Sequence, residues 1–401
     1  MFTKEYINQV VQSQHERLTQ LPLGILRRVQ GFDNITSHAC IVTGIRRCGK
    51  STLLQQLKAQ TPQDSIYLNF EDPRLAGFDL SDFNRLHQLT EAARVNAYFF
   101  DEIQLIENWE SFVRFRLDEG FQVFISGSNA TMLSRELGTK LTGRHISKEL
   151  FPFSFSEYLL MLNQEPSGNA SANYLIKGGF PEFLKTNNPE VLMQALNDII
   201  VRDIAIRHQI KNTALLQQIA VWLLTNTSKR FTGNSLRKLF QVGSSSTMME
   251  YLTYFVDAYL FFYVPRFSYS LKVQMVNPKK VYAIDNGLIY TNSVSFSSDQ
   301  GRLLENMVFL HLRRQTPEIY YFAEKGECDF VVLKQNHEVE LVQVCWHLDE
   351  ENLKRELNGL SEAMLFFGLQ KGMIITYNQS DEFIIEDKRI EVIPFYKWAT
   401  V

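Results

Sequence analysis

The chain has 401 residues, 45% of them hydrophobic and 21% charged, with a net charge of −3. This is the composition of an ordinary globular protein, and it excludes a disordered or fibrous chain. No global basic excess exists, so any nucleic-acid contact must rest on a local patch.

In chain order, residues 5–20 predict an amphipathic helix with Tyr6, Ile7, Val10 and Val11 on one face. The first twenty residues lack the apolar stretch of a signal peptide. The longest apolar run, Ala258–Val264, is far too short for a membrane span. A soluble cytoplasmic protein without membrane contact is expected. Cys40, Cys48, Cys328 and Cys345 form no C-x-x-C pair, and free thiols in a reducing compartment fit best.

From 39 to 127 the pattern alternates. Short apolar strands at 39–43, 65–70, 97–100 and 122–125 are separated by helical stretches, the first at 51–59. Alternation of this kind predicts an α/β core with a parallel sheet covered on both faces. After Pro152 the texture turns helical, broken at Gly178-Gly179-Phe180-Pro181. A further module, 213–280, reads as helix-turn-helix, with helices at 231–240 and 244–258 and wing strands at 259–264 and 273–277. Mixed α/β patterning returns from 281. Four parts are expected: an α/β core at 1–152, a helical lid or linker at 153–212, a winged-helix-like module at 213–280 and a C-terminal α/β domain at 281–401. Chain length agrees, because a single core rarely exceeds about 250–300 residues.

Gly44-Ile45-Arg46-Arg47-Cys48-Gly49-Lys50-Ser51, followed by Thr52, fits G-x-x-x-x-G-K-[ST] between a strand and a helix. Glycines let backbone N–H groups wrap phosphates, and the helix N-terminus adds positive partial charge. Lys50 is placed to reach the β- and γ-phosphates of ATP, and Ser51 to bind Mg²⁺. Strand 97–100 ends in Asp101-Glu102, which supplies a second metal-side carboxylate and a candidate general base for water. Ser128 and Asn129 end the next strand and could sense the γ-phosphate, or simply form a turn. Arg144, with Arg135 as competitor, is the candidate for stabilising transition-state charge, in cis or from a neighbouring subunit.

These motifs, with Asn69-Phe70-Glu71-Asp72-Pro73-Arg74, Phe151-Pro152-Phe153-Ser154-Phe155 and Tyr282-Ala283-Ile284-Asp285, resemble a prokaryotic branch of the AAA+ ATPases. Gly178-Gly179-Phe180-Pro181-Glu182, Leu304-Glu305-Asn306 and Cys328-Asp329-Phe330 extend the resemblance over nearly the whole chain. It implies an ATPase core, a middle winged-helix region and a restriction-endonuclease-like C-terminal fold. An active centre of the last kind needs acids for Mg²⁺ and usually an E-x-K lysine. Here the E-x-K place reads Gln343-Val344-Cys345, Glu340 falls on the opposite strand face and Lys354 lies on the next helix. A catalytically degenerate domain is expected.

The reading is an oligomeric ATPase that drives a switch or motor on a protein partner or on DNA. DNA contact would run through 230–272, using Ser244, Ser245, Ser246, Thr247, Arg230, Arg237, Lys238 and Lys272. Two alternatives remain: an ATP-regulated metal-dependent nuclease resting on Glu305 and Asp329, and a nucleotide-binding regulator with little turnover.

Overall fold

The structure is a computed structural model that describes residues 2–27, 31–32, 35–61, 64–92, 95–128, 141, 143–293, 299–336 and 338–400. The chain divides into two compact units, 1–150 and 151–401.

The first unit opens with α1 (Lys4–Gln20), capped by the Thr3 side chain, which buries Ile7, Val10 and Val11. Tyr6, expected on that face, is instead exposed and donates to the Arg74 carbonyl (3.2 Å). There follow β1 (Ala39–Thr43), α2 (Lys50–Gln60), β2 (Ser65–Asn69), α3 (Leu80–Ala92), β3 (Ala97–Asp101), α4 (Trp109–Asp118), β4 (Gln122–Gly127) and β5 (His145–Glu149). The sheet order is β2-β3-β4-β1-β5, and every pairing is parallel. Strands β1, β3 and β4 are buried along their full length, which accounts for their unbroken apolar runs. Helices cover the sheet through aromatic packing, for example Phe83 stacked on Phe112 at 4.6 Å and Phe70 against Phe100 at 5.7 Å. All C-terminal strand ends therefore gather at one edge, where open α/β sheets bind ligands.

The second unit begins with helices Phe155–Leu162, Gly168–Lys177, Pro181–Thr186 and Glu190–Asp198, the last continuing into a π-helical stretch, Ile199–Ile206. Helices Thr213–Thr225, Gly233–Leu239 and Ser245–Asp257 then surround a small antiparallel sheet of β6 (Arg230–Phe231), β7 (Phe261–Val264) and β8 (Lys279–Ala283), ordered β6-β8-β7. One expectation is corrected here. The segment 273–277 is not a wing strand, because Leu271–Val276 forms a helix with no buried residue. The partner of β7 is β8, whose residues 280–283 are all buried and pair antiparallel with 261–264. The unit ends in a six-stranded mixed sheet of β9 (Ile319–Ala323), β10 (Glu327–Leu333), β11 (Val339–Val344), β12 (Lys371–Thr376), β13 (Asp381–Ile385) and β14 (Lys388–Pro394), flanked by helices Gln300–Arg313 and Leu353–Phe367.

Candidate active site

The loop after β1 needs glycine at two places. Gly44 has φ of 145°, and a Cβ there would stand 2.1 Å from the Leu150 carbonyl oxygen. Gly49, at φ of 105°, caps α2 in a conformation that side chains rarely adopt. Between them Ile45 and Cys48 are fully buried and anchor the loop, while Arg47 takes a left-handed φ of 64°. Burial pushes the Cys48 thiol up, and the Lys50 and Arg27 cations only partly oppose this. The Lys50 ammonium donates to the Gly44 and Ile45 carbonyls, both at 3.1 Å, and lies 3.7 Å from Glu102 Oε1. Ser51 and Thr52 follow on the first turn of α2, beside a cavity of about 530 Å³ that also touches Gln14, Tyr67 and Asn69.

The two carboxylates after β3 differ in environment. Asp101 is fully buried. Tyr67 donates to its Oδ2 at 2.8 Å and Ser126 to its Oδ1. Burial, then the neighbouring Glu102 charge, raise the Asp101 carboxyl above the usual carboxylate range. Glu102 sits at φ of 53°, and its N–H donates to Ser126 Oγ at 3.2 Å. Burial works against its charge, but the Lys50 ammonium and a hydrogen bond from Gln104 outweigh that and hold it below its ordinary value. A hydrogen bond from the buried Ser128 to Glu102 acts in the same direction. The donor set fits a divalent cation: a hydroxyl at Ser51 and a fully buried carboxylate, held by two hydroxyl donors, whose charge burial disfavours until a cation offsets it.

The structure thus gathers Gly44, Ile45, Arg46, Arg47, Cys48, Gly49, Lys50, Ser51, Thr52, Asp101, Glu102 and Ser128 at one sheet edge. Arg46 also pairs with Glu71 at 2.9 Å, linking the phosphate loop to the segment after β2. Asn129 and Arg135 lie outside the described residues. Arg144 is not brought to the loop. Its carbonyl accepts from the N–H of Ala39, the first residue of β1, whereas the loop follows Thr43, the last. Four residues of strand separate those ends, about 13 Å. The Arg144 side chain donates to the Ser37 carbonyl (3.0 Å) and pairs with Asp118. Sequence reasoning missed Tyr67, Ser126 and Gln104. The serines at the end of β4 and just beyond it, Ser126 and Ser128, were the available signal.

Within 213–280, two residues expected to face DNA, both exposed, are engaged with other groups of the chain. Arg230 pairs with Glu327 at 2.6 Å and covers the Tyr321 ring. Ser244 Oγ caps the helix Ser245–Asp257, accepting from Thr247 N at 3.0 Å. In the C-terminal sheet, Glu305 and Asp329 do come together, and a lysine joins them. Lys280 Nζ lies 2.7 Å from Asp329 Oδ1, 2.9 Å from Glu327 Oε1 and 3.1 Å from Glu305 Oε1. The E-x-K place itself holds no lysine; this ammonium comes from β8, a strand well before it, and sequence reasoning did not single it out. Lys354 is exposed, Glu340 pairs with Lys334 at 2.8 Å, and Gln343 bonds the Asp329 N–H and Glu356.

A Walker-type loop after β1, the strand between β4 and β5 in a β2-β3-β4-β1-β5 parallel sheet, defines a P-loop ATPase of the AAA+ class. The AAA domain family matches residues 36–159, and a domain of unknown function (DUF8612) matches residues 169–298. The chain is 36% identical to the uncharacterized protein MJ1544 of Methanocaldococcus jannaschii over 391 residues, covering 90% of this chain and 87% of that one. It is 30% identical to an uncharacterized Haemophilus influenzae protein, covering 79% of this chain and 84% of the other. The chain belongs to this AAA+ family. A Thermotoga maritima RuvB Holliday junction branch migration motor aligns with 65% of this chain and 88% of its own, at 16% identity and a TM-score of 0.30. No described helix is long and apolar enough to cross a membrane.

Proposed function

We propose that the chain binds ATP with Mg²⁺ and hydrolyses it, and that turnover drives a conformational switch or motor on DNA or a protein partner. The observation that carries this is the pairing of a buried Asp101 with an ionised Glu102, 3.7 Å from the Lys50 ammonium. Loop amides and the N-terminus of α2 receive the phosphates. Lys50 exchanges the Gly44 and Ile45 carbonyls for β- and γ-phosphate oxygens. Ser51 and Asp101 hold Mg²⁺, which supplies charge neutralisation on the phosphates. Glu102 accepts a proton from the attacking water as its oxygen bonds to the γ-phosphorus and the bond to the β–γ bridging oxygen breaks. Ser128 orients the Glu102 carboxylate. Arg144, remote from its own loop, would serve the nucleotide of a second copy, so a homo-oligomer follows from this reading.

Lys50→Ala should abolish ATP binding. Glu102→Gln should keep ATP binding and lose about 10²–10⁴-fold in turnover. Wild-type turnover in Glu102→Gln would sink the assignment of Glu102 as the base, and negligible turnover of the wild type itself would favour the low-turnover regulator. ATPase rate with and without DNA separates the partner classes: stimulation supports DNA, and an unchanged rate supports a protein target.

A further inference from the structure

The restriction-endonuclease-like fold expected for the C-terminal sheet implies a divalent metal held by acids. The residues present do not fit one. An ammonium has three donors, and Lys280 spends them on three carboxylates, at 2.7, 2.9 and 3.1 Å. The remaining oxygens are mostly committed. Asp329 Oδ2 accepts from Val344 N at 3.0 Å, Glu327 Oε2 pairs with Arg230 at 2.6 Å, and Glu305 Oε1 also accepts from Tyr282 at 2.6 Å. Gln343, at the place of the second acid, is bonded to Glu356 at 2.6 Å. Lys280 itself is only 3% exposed, so its cation belongs to the packed interior. Magnesium requires oxygens at about 2.0–2.1 Å and calcium at about 2.3–2.6 Å, and neither can enter while Nζ stands among them.

We infer that Lys280 takes the place of the metal ion, so that this centre is closed by a tethered cation and neither binds a divalent metal nor cleaves DNA. A lysine on β8 thereby joins the helix Gln300–Arg313 to the start of β10, the job an ion would do between the same acids. The inference concerns only the second unit and stands whether or not the first unit hydrolyses ATP.

The test is Mn²⁺ binding to the full chain without nucleotide, read by electron paramagnetic resonance and by thermal melting. Wild type and Asp329→Asn should bind the same number of Mn²⁺ ions. Lys280→Ala should gain one ion at about 1 mM metal, in the range of weak oxygen sites, and lose it again in Lys280→Ala/Asp329→Asn. Where Lys280→Ala folds poorly, its melting temperature should rise on adding Mn²⁺ while that of wild type does not move, and Lys280→Met should behave alike. The inference is overturned if wild type holds an ion that Asp329→Asn loses, or if wild type cuts plasmid with Mn²⁺ and Asp329→Asn does not. It also fails if the Lys280 variants gain no ion, or neither fold nor are rescued by Mn²⁺.

Discussion

Tyr67→Phe isolates the support of the metal-side carboxylate. The hydroxyl donates to Asp101 Oδ2 at 2.8 Å in a buried setting, and the ring is otherwise core. Phe keeps that ring and deletes one donor. A hydrogen bond to a charged group contributes about 1.5–3 kcal/mol net. At about 1.4 kcal/mol per decade this predicts a loss of about 10–100-fold, the range seen when partners of metal ligands are removed. The assay is ATP turnover against Mg²⁺ at fixed ATP. The half-saturating Mg²⁺ should rise by about 10–100-fold, while nucleotide binding in chelator stays unchanged. The pH profile supplies a second readout. Burial and Glu102 already raise the Asp101 carboxyl, and the Tyr67 donor favours its charged form. Removing that donor raises it further, so the acid limb of activity moves to higher pH. A Mg²⁺ requirement within about threefold of wild type, under about 0.7 kcal/mol, with an unmoved acid limb, would refute the reasoning and leave Tyr67 as packing alone.

Three further outcomes are expected. If Arg144 serves a neighbouring copy, Arg144→Ala and Lys50→Ala should each be inactive alone and regain turnover when mixed; no recovery on mixing, with intact oligomers, ends that assignment. Gln56 donates to the Leu23 and Ile25 carbonyls at 2.7 and 2.8 Å and accepts from Arg27 N at 3.0 Å. At about 0.5–1.5 kcal/mol each, Gln56→Ala should loosen residues 21–27 and speed tryptic cleavage at Arg27 by about tenfold or more, whereas an unchanged rate means other contacts hold the segment. His311 is partly buried, with its ring 4.4 Å from that of Trp398, and desolvation, then Arg314, push it down to about 4. The unfolded chain takes that proton near pH 6.5, so the stability is present above 6.5 and lost as pH falls towards 4, about 3 kcal/mol in all. His311→Gln should flatten that part of the acid melting curve, and an unaltered slope would contradict the assignment.

The phosphate loop was legible because its chemistry is contiguous. Eight residues carry the turn, the lysine and the metal hydroxyl, and local sterics alone demand Gly44 and Gly49. Asp101-Glu102 was legible because acids interrupt an apolar strand at its end. Tyr67 and Ser126 were not, since a tyrosine or serine within an apolar strand reads as packing. Their role exists only because β2 and β4 flank β3, and strand order is a tertiary fact. Strand β5 was missed for the opposite reason. His145–Glu149 is polar and partly exposed, and it holds its edge place through backbone pairing with β1. Lys280 was hidden by distance along the chain, on a strand that precedes its acids.

The two lysine centres show why similar ingredients support different chemistry. Lys50 donates to two neutral carbonyls at 3.1 Å and lies 3.7 Å from the Glu102 carboxylate. A phosphate oxygen offers that ammonium a stronger, charge-assisted partner than a carbonyl does, so the exchange on ATP binding runs downhill. Lys280 already has three carboxylate partners between 2.7 and 3.1 Å. Burial alone would lower its affinity for the proton, but Asp329, Glu305 and Glu327 reverse this and hold it well above the usual lysine range. A phosphate has nothing better to offer there, and removing the ammonium would strand the buried Asp329 beside two partly exposed acids. What separates a working phosphate site from a closed one in this chain is therefore whether the lysine's partners are weaker or stronger than the ligand that must replace them.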